Sequence, residues 1–425
     1  MPQPSHLSLK RDQQGRIAEH TIRFGNVAET RRYAYDSAGR LSRVTDGAGA
    51  LSESYQYDPQ GRRLAEINPA RFRGERRYTY LPGNRLGQAG QAQFGHDKAG
   101  FRNLKVVGDA ETRYRYEPSG LLMHVDLPDG RKVQYVYDAN GLRLEKRVTV
   151  NGVGRLAEAF RWLDPLRLEE FHDGRQWWLF AYLEGRTPVG LTNGQDMYFI
   201  LADQLGTPVA LATTDGHIVQ TMHYDSFGTL LQVRGDMVRL PIGFAGGLFD
   251  ADTGLTRFVW RDYDADTGRF TALDPLGRKG GDSDWYGYCV DDPVNRVDVW
   301  GLFVFKERPL DSPIGSLPKI TTPWLDKRNL EVKHVQGWFE DGTGENIGKF
   351  SDGVHADEHH PEGDYSPRSE SFPDDIAREA LRRWPPEKYS PYSCTSDNCQ
   401  DWEAQMRQRM YEVGREQRGS SLDPR

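Results

Sequence analysis

At 425 residues and 48.4 kDa, the chain can hold two or three domains with sizeable cores. Its 28% charged and 11% aromatic residues exclude wholesale disorder, and no apolar run approaches the roughly 18 residues of a membrane-spanning helix. The net charge of −7 gathers at one end: residues 303–425 carry 17 basic against 23 acidic side chains and residues 1–302 carry 38 against 39. That imbalance argues against nucleic acid as a partner.

The first residues, 1–15, have no apolar stretch, so no signal peptide is expected. From residue 33 the chain repeats itself: YAYDSAGRL at 33–41, YQYDPQGRRL at 55–64 and YTYLPGNRL at 78–86. More degenerate copies are FGHDKAGF from Phe94, YRYEPSGLL from Tyr114 and YVYDANGLRL from Tyr135, with later echoes at 223–228 and 262–270. Aromatics at alternate positions predict strands with both tyrosines on one face. The D-x-x-G step predicts a hairpin turn, with Asp bonding the turn backbone and Gly supplying positive φ. A hairpin about every 20 residues gives a long antiparallel sheet. Aromatic stripes in such an array serve packing, so no repeat tyrosine is assigned a functional role.

These repeats resemble the Rhs/YD-repeat family over residues 25–302, and the segments at 198–216, 260–277 and 280–302 look like the Rhs-associated core. The resemblance implies a hollow β-shell around a toxic C-terminal segment, with the chain cut just after the Gly-Leu of a second D-P-x-G-L motif. Here that motif reads Asp298-Val299-Trp300-Gly301-Leu302, with valine in the proline position. Transferred by motif, the cutting groups are Asp274 and Asp298 supported by Arg261, acting between Leu302 and Phe303. The repeat region is several times shorter than a complete shell, so a partial shell that does not close alone is expected, as in an orphan or truncated cassette.

Beyond Leu302 the repeats stop. Prolines at 309, 313, 318 and 323 predict an extended lead-in over 303–327. A strand is predicted at 330–339, a Gly-rich turn at 340–345, a return strand at 346–350 and a polar loop over 351–373. Helices are predicted at 375–384 and from about 398 to 413. His334 falls on the strand, and Cys399 at a helix start, where the dipole favours a thiolate. The words around them resemble permuted papain-like hydrolases of the NlpC type over 330–413, which implies Cys399 as nucleophile and His334 as base. Glu340, Glu345 and Asp352 are candidates to orient the histidine. A second constellation, His355, His359 and His360 with carboxylates between them, could bind a divalent ion, but a solvated loop is the simpler reading, so no metal is assigned. Cys394 is either a plain buried residue or a disulfide partner that silences Cys399.

The expected architecture is therefore mostly β, a YD-repeat β-hairpin strip at 1–215 and an Rhs-associated core at 216–302, followed by a small α+β papain-like domain at 303–425. The expected function is that of an interbacterial toxin carrying a cysteine hydrolase for amide bonds of peptidoglycan peptides, with protein or lipid acyl bonds as other targets. No cofactor is called for. The three cysteines are too few for a disulfide scaffold and suit synthesis in a reducing cytosol, followed by export into a target cell. The family implies a cognate immunity protein and a secretion machine or chaperone as partners. The alternatives are a metal-dependent nuclease built on the 355–360 patch and a non-enzymatic adhesion or wall-associated repeat protein.

Overall fold

A computed structural model describes residues 5–24, 27–183, 185–235, 238–274 and 284–298, the single residue Arg382, and the backbone of five strands beyond residue 303. Contacts divide the chain into two units, residues 1–274 with 282–298 and residues 275–281 with 299–425.

The repeats of the first unit form the antiparallel hairpins their spacing predicts. From the strand Ser5–Arg11 to the strand Leu230–Gly235, 22 strands follow one another in a single sheet, each paired with the next in sequence, as in the Val27–Tyr35/Leu41–Asp46 hairpin. Its turn shows the chemistry of D-x-x-G. Asp36 Oδ1 accepts from the Ala38 and Arg40 amides at 2.9 and 3.0 Å, and Oδ2 takes Arg40 Nε at 2.7 Å. Gly39 closes the turn at φ +84°, a conformation that costs other residues.

The second tyrosine of each unit does something that alternation alone does not foretell. The ladder register slips immediately before Tyr35, Tyr57, Tyr80, Tyr116 and Tyr137. The extra residue of each slip lies on the partner strand, as Ser42 and Leu64 do opposite Tyr35 and Tyr57, and such a bulge twists the hairpin locally. Tyr35, Tyr57 and Tyr80 donate to the carbonyls of Ile17, Leu41 and Arg63 at 2.7–2.8 Å, each in the preceding hairpin. The turn arginines Arg16, Arg40 and Arg62 lie over the same rings at 4.5, 4.7 and 5.1 Å, adding cation–π attraction. The first tyrosines, Tyr55, Tyr78, Tyr114 and Tyr135, are buried.

Among the described residues no backbone ladder joins the last strand to the first. Side chains bridge the early and late strands instead. Glu29 meets His223 Nδ1 at 3.0 Å, and Arg31 donates to the Tyr224 carbonyl at 2.6 Å. The Ser226 amide reaches Glu53, and Asn68 and Arg71 hold Asp225. Burial, helped by the Glu53 and Glu66 charges and only partly offset by Arg71, pushes the Asp225 carboxyl up to about 6. Polar side chains thus draw the early and late strands of the sheet together.

The described residues of 242–274 and 284–298 form a core segment with its own four-stranded sheet, Leu248–Asp250, Leu255–Phe258, Arg261–Asp264 and Arg269–Phe270. Phe244, Phe258, Tyr263, Phe270 and Tyr288 pack together at its centre. Leu248, Leu255 and Val294 pack against repeat hydrophobics, and ion pairs add to that contact. Asp264 meets Arg102 at 2.5 Å, Asp262 meets Arg143 at 3.1 Å and Asp250 meets Lys146 at 2.5 Å. Asp266 gathers Arg71, Arg76 and Lys105. Burial alone would raise these carboxyls, but the facing cations hold Asp250, Asp264 and Asp266 below the ordinary range.

His96 packs edge-on against Tyr286 at 5.7 Å, with no hydrogen-bond partner on its buried Nδ1. Burial first, then Arg102, Arg85 and Arg269, pushes it down to about 3 from 6.5. The unfolded chain therefore takes up a proton below pH 6.5 that the folded chain refuses until about pH 3, and stability falls as pH drops through that window. His96→Phe is expected to remove this loss. Unfolding free energies from urea titration at pH 7 and pH 4 should converge by roughly 2–3 kcal/mol relative to wild type; an unchanged pH dependence would contradict it.

In the second unit, the strand Lys333–Trp338 pairs with Val304–Pro309 on one side and Asn346–Phe350 on the other. The return strand lies where the sequence places it, and the lead-in contributes a strand. The stretch expected to be loop supplies two short strands, Gly353–His355 and Ser366–Pro367, at the two edges of the sheet. Short edge additions need only a few backbone bonds and leave no periodicity to read. Of the two predicted helices only Arg382 is described, and it is helical; the rest lies outside the described residues.

Candidate functional site

Arg261 and Tyr263 alternate along one strand, and Tyr263 pairs across to Phe270, so Arg261 lies diagonal to Phe270 on the same face. Its guanidinium carbon sits 3.7 Å from the Phe270 ring centroid. Arg261 and Phe270 are both buried. The stacked ring holds the guanidinium plane, and one nitrogen, Nη2, faces two carboxylates. Asp298 Oδ2 is at 2.7 Å and Asp274 Oδ2 at 3.2 Å.

Asp274 leaves the core sheet just past Phe270, and its amide donates to the Trp285 carbonyl at 2.7 Å. Beyond it, Arg269 grips Asp284 and donates to the Asn84 carbonyl at 2.9 Å, while Tyr286 donates to the Gly100 carbonyl at 2.6 Å. These bonds tie the returning chain to the repeats. Then Cys289, Val290 and Asp291 all adopt left-handed φ of 52–55°. That is a strained conformation for a β-branched valine, and it turns the chain toward Asp298. The Cys289 thiol is pushed well up by burial and by the Asp298 charge, which keeps it protonated.

Two carboxylates facing one cation carry one charge more than it can offset. A proton on either restores balance, so the arrangement can present one acid and one base side by side. The three residues read from the D-P-L-G, D-V-W-G-L and R-x-Y-D segments are thus brought to one point. Leu302 and Phe303, which flank the expected cut, lie outside the described residues.

The second expected site is described only in part. His334 occupies the strand Lys333–Trp338, in register with Arg308, and His355 ends the strand Gly353–His355, in register with Gly348. Cys399, Cys394, Glu340, Glu345, Asp352 and residues 356–360 lie outside the described residues. The sequence reading passed over Phe270 and the anchoring aspartates Asp250, Asp262, Asp264 and Asp266. The signal was present in D-Y-D-A-D, where acidic residues alternate within a stretch that is otherwise apolar or small.

A meander of Tyr-Asp hairpins gathered on an ionic, aromatic core segment is the architecture of a YD-shell. The chain belongs to the Teneurin YD-shell family, whose model matches residues 3–279. It is 31% identical to "Probable deoxyribonuclease RhsB" of Dickeya dadantii over 69% of this chain and 22% of that protein. Zebrafish (Danio rerio) Teneurin-3 is 28% identical over 68% of this chain and 11% of its own length. "Double-stranded DNA deaminase toxin A" of Burkholderia cenocepacia is 28% identical over 64% and 22%. The chain thus spans between about a tenth and a quarter of these relatives. Among solved structures, the TcdB2-TccC3-Cdc42 complex aligns over 70% of this chain and 17% of that one, with 16% identity and a TM-score of 0.49.

Proposed function

We propose that this chain is an Rhs-type toxin carrier that cuts itself after Leu302 and so frees residues 303–425 as an effector. The observation that carries the reading is the shared contact of Asp274 and Asp298 with Arg261 Nη2. In the reaction, one carboxylate takes a proton from a water whose oxygen adds to the Leu302 carbonyl. The protonated partner gives its proton to the Phe303 nitrogen as the C–N bond breaks. The products are a Leu302 carboxylate and a Phe303 amine, and the pair regains its single proton. Incubating purified full-length protein and reading its fragments by intact mass tests this. A fragment beginning at Phe303 is expected; an intact chain after long incubation refutes it.

For the effector we infer a cysteine hydrolase in which Cys399 attacks, His334 shuttles the proton and backbone amides at the 398–399 helix start hold the oxyanion. The motif likeness to NlpC-type hydrolases supports it, with a peptidoglycan amide as the substrate class. A second reading is favoured by the relatives named as a deoxyribonuclease and a DNA deaminase. On it the effector acts on nucleic acid, as a metal-dependent nuclease using His355, His359 and His360 or as a deaminase. Both readings place synthesis in a producer's cytoplasm, delivery into a target cell and an immunity protein in the producer.

Expressing the full chain in a test bacterium separates them. The hydrolase reading expects Cys399→Ala or His334→Ala to abolish killing, the double variant to be no weaker than either single, and lysis to follow only from periplasmic targeting. The nuclease reading expects His359→Ala to abolish cytoplasmic killing and Cys399→Ala to leave it intact. Undiminished killing by Cys399→Ala at matched expression removes the hydrolase reading.

A further inference from the structure

Asp298 is held by Arg261, but the segment that delivers it is fastened to strands far earlier in the chain. The Ile17 amide donates to Asn295 Oδ1 at 2.7 Å. Asn295 Nδ2 donates to the Tyr35 hydroxyl at 2.8 Å, and that hydroxyl donates to the Ile17 carbonyl at 2.7 Å. The three bonds close a ring across 278 and 260 residues of sequence.

The orientation of the Asn295 amide is settled by its neighbour, because Nδ2 also donates to Asp292 Oδ1 and Oδ2 at 2.8 and 3.1 Å. Only the oxygen remains to accept the Ile17 amide. Around the ring, Val294 packs with Ile17, Leu41, Val44, Tyr55 and Phe227, and Gln204 Nε2 donates to the Val294 carbonyl at 3.1 Å. Tyr57, Tyr80 and Tyr137 make their carbonyl bonds within the repeats, as Tyr182 does to Leu168 at 2.9 Å, while Tyr116 donates to Thr271 Oγ1 of the core segment at 2.8 Å. Tyr35 makes the same bond and also receives the core segment.

We propose that Asn295 makes chain release conditional on assembly. It is a positioning residue that lets Asp298 join Asp274 on Arg261 only once the first hairpins have folded and docked. This inference rests on the self-cleavage reading above. Ile17 and Tyr35 are synthesised well before Asn295, so the ring closes only when these early strands have met the core segment. A chain with misassembled early hairpins leaves Asp298 unplaced and keeps its C-terminal segment attached. Displacing a catalytic group by about 1 Å costs rate by up to about a hundredfold, which is the lever such a ring has.

The test follows release of the 303–425 fragment from full-length chains with time. Tyr35→Phe removes the ring oxygen while keeping the aromatic face under Arg16, and is expected to slow release at least about tenfold. Tyr182→Phe loses the same kind of carbonyl bond far from Asn295 and is expected to stay within about twofold of wild type. Rates are compared in urea at equal folded fraction, so a loss of stability alone moves both variants together. Asn295→Ala should slow release as Tyr35→Phe does, and the double variant should be no slower than Asn295→Ala alone. Combination with Tyr182→Phe should instead multiply the two effects. Release by Tyr35→Phe at the wild-type rate, or a decline matched by Tyr182→Phe, overturns the inference while leaving self-cleavage standing. A wild-type chain that releases nothing overturns both.

Discussion

Asp298→Asn is expected to lower the rate of fragment release by about 10³, because it removes a group that must give or take a proton at the scissile peptide. Asparagine preserves the size of the side chain and can still face Arg261 through its carbonyl oxygen, so the fold should survive. Asp274→Asn should behave alike, since the pair acts as a unit, and the double variant should be no worse than either single. Arg261→Met has a second consequence. Without the guanidinium the two carboxylates lose the cation that gathers them, so their repulsion should spread them apart and slow release as well. Peptide mapping of timed samples checks all three. Release by Asp298→Asn at the wild-type rate would show that the cluster at Arg261 is a structural clasp.

Asp264→Ala is expected to be the most damaging single change to the shell. Asp264 is buried and meets Arg102, itself only 1% exposed, at 2.5 Å. Removing the carboxylate leaves the Arg102 guanidinium with Thr267 Oγ1 at 3.4 Å, a poor substitute. Stranding a buried charge costs about 3–5 kcal/mol, which for a unit of this size lowers the thermal midpoint by about 10 °C. The cost lies in the uncompensated charge, so Asp264→Ala combined with Arg102→Leu should recover much of the loss. Thermal melts of the two variants decide the matter. Equal loss in both would place the energy in packing around residue 264.

The hairpins were legible from the residues because they rest on local order. A D-x-x-G turn closes within five residues through its own side-chain and backbone bonds, as Asp36 shows, and alternating aromatics need only the pleat to share a face. The Arg261–Asp274–Asp298 cluster was legible through motif likeness, and its strand supplied the rest, since alternation puts Arg261 diagonal to Phe270. The papain-like reading has the same local origin, a His strand and an Asn-Cys helix start. What the sequence by itself determined is therefore a YD-repeat strip, a core segment after it and a change of style past Leu302.

Tertiary structure alone decided how the strip is held. Nothing near Asp266 in sequence announces Arg71, Arg76 and Lys105 as its partners, and nothing near Tyr35 announces Asn295. These pairs lie 161 to 260 residues apart. They meet only after some twenty strands have each turned the sheet by their own twist. A side chain's choice of partner across such a distance depends on the accumulated curvature of the whole sheet, which no local pattern of residues encodes.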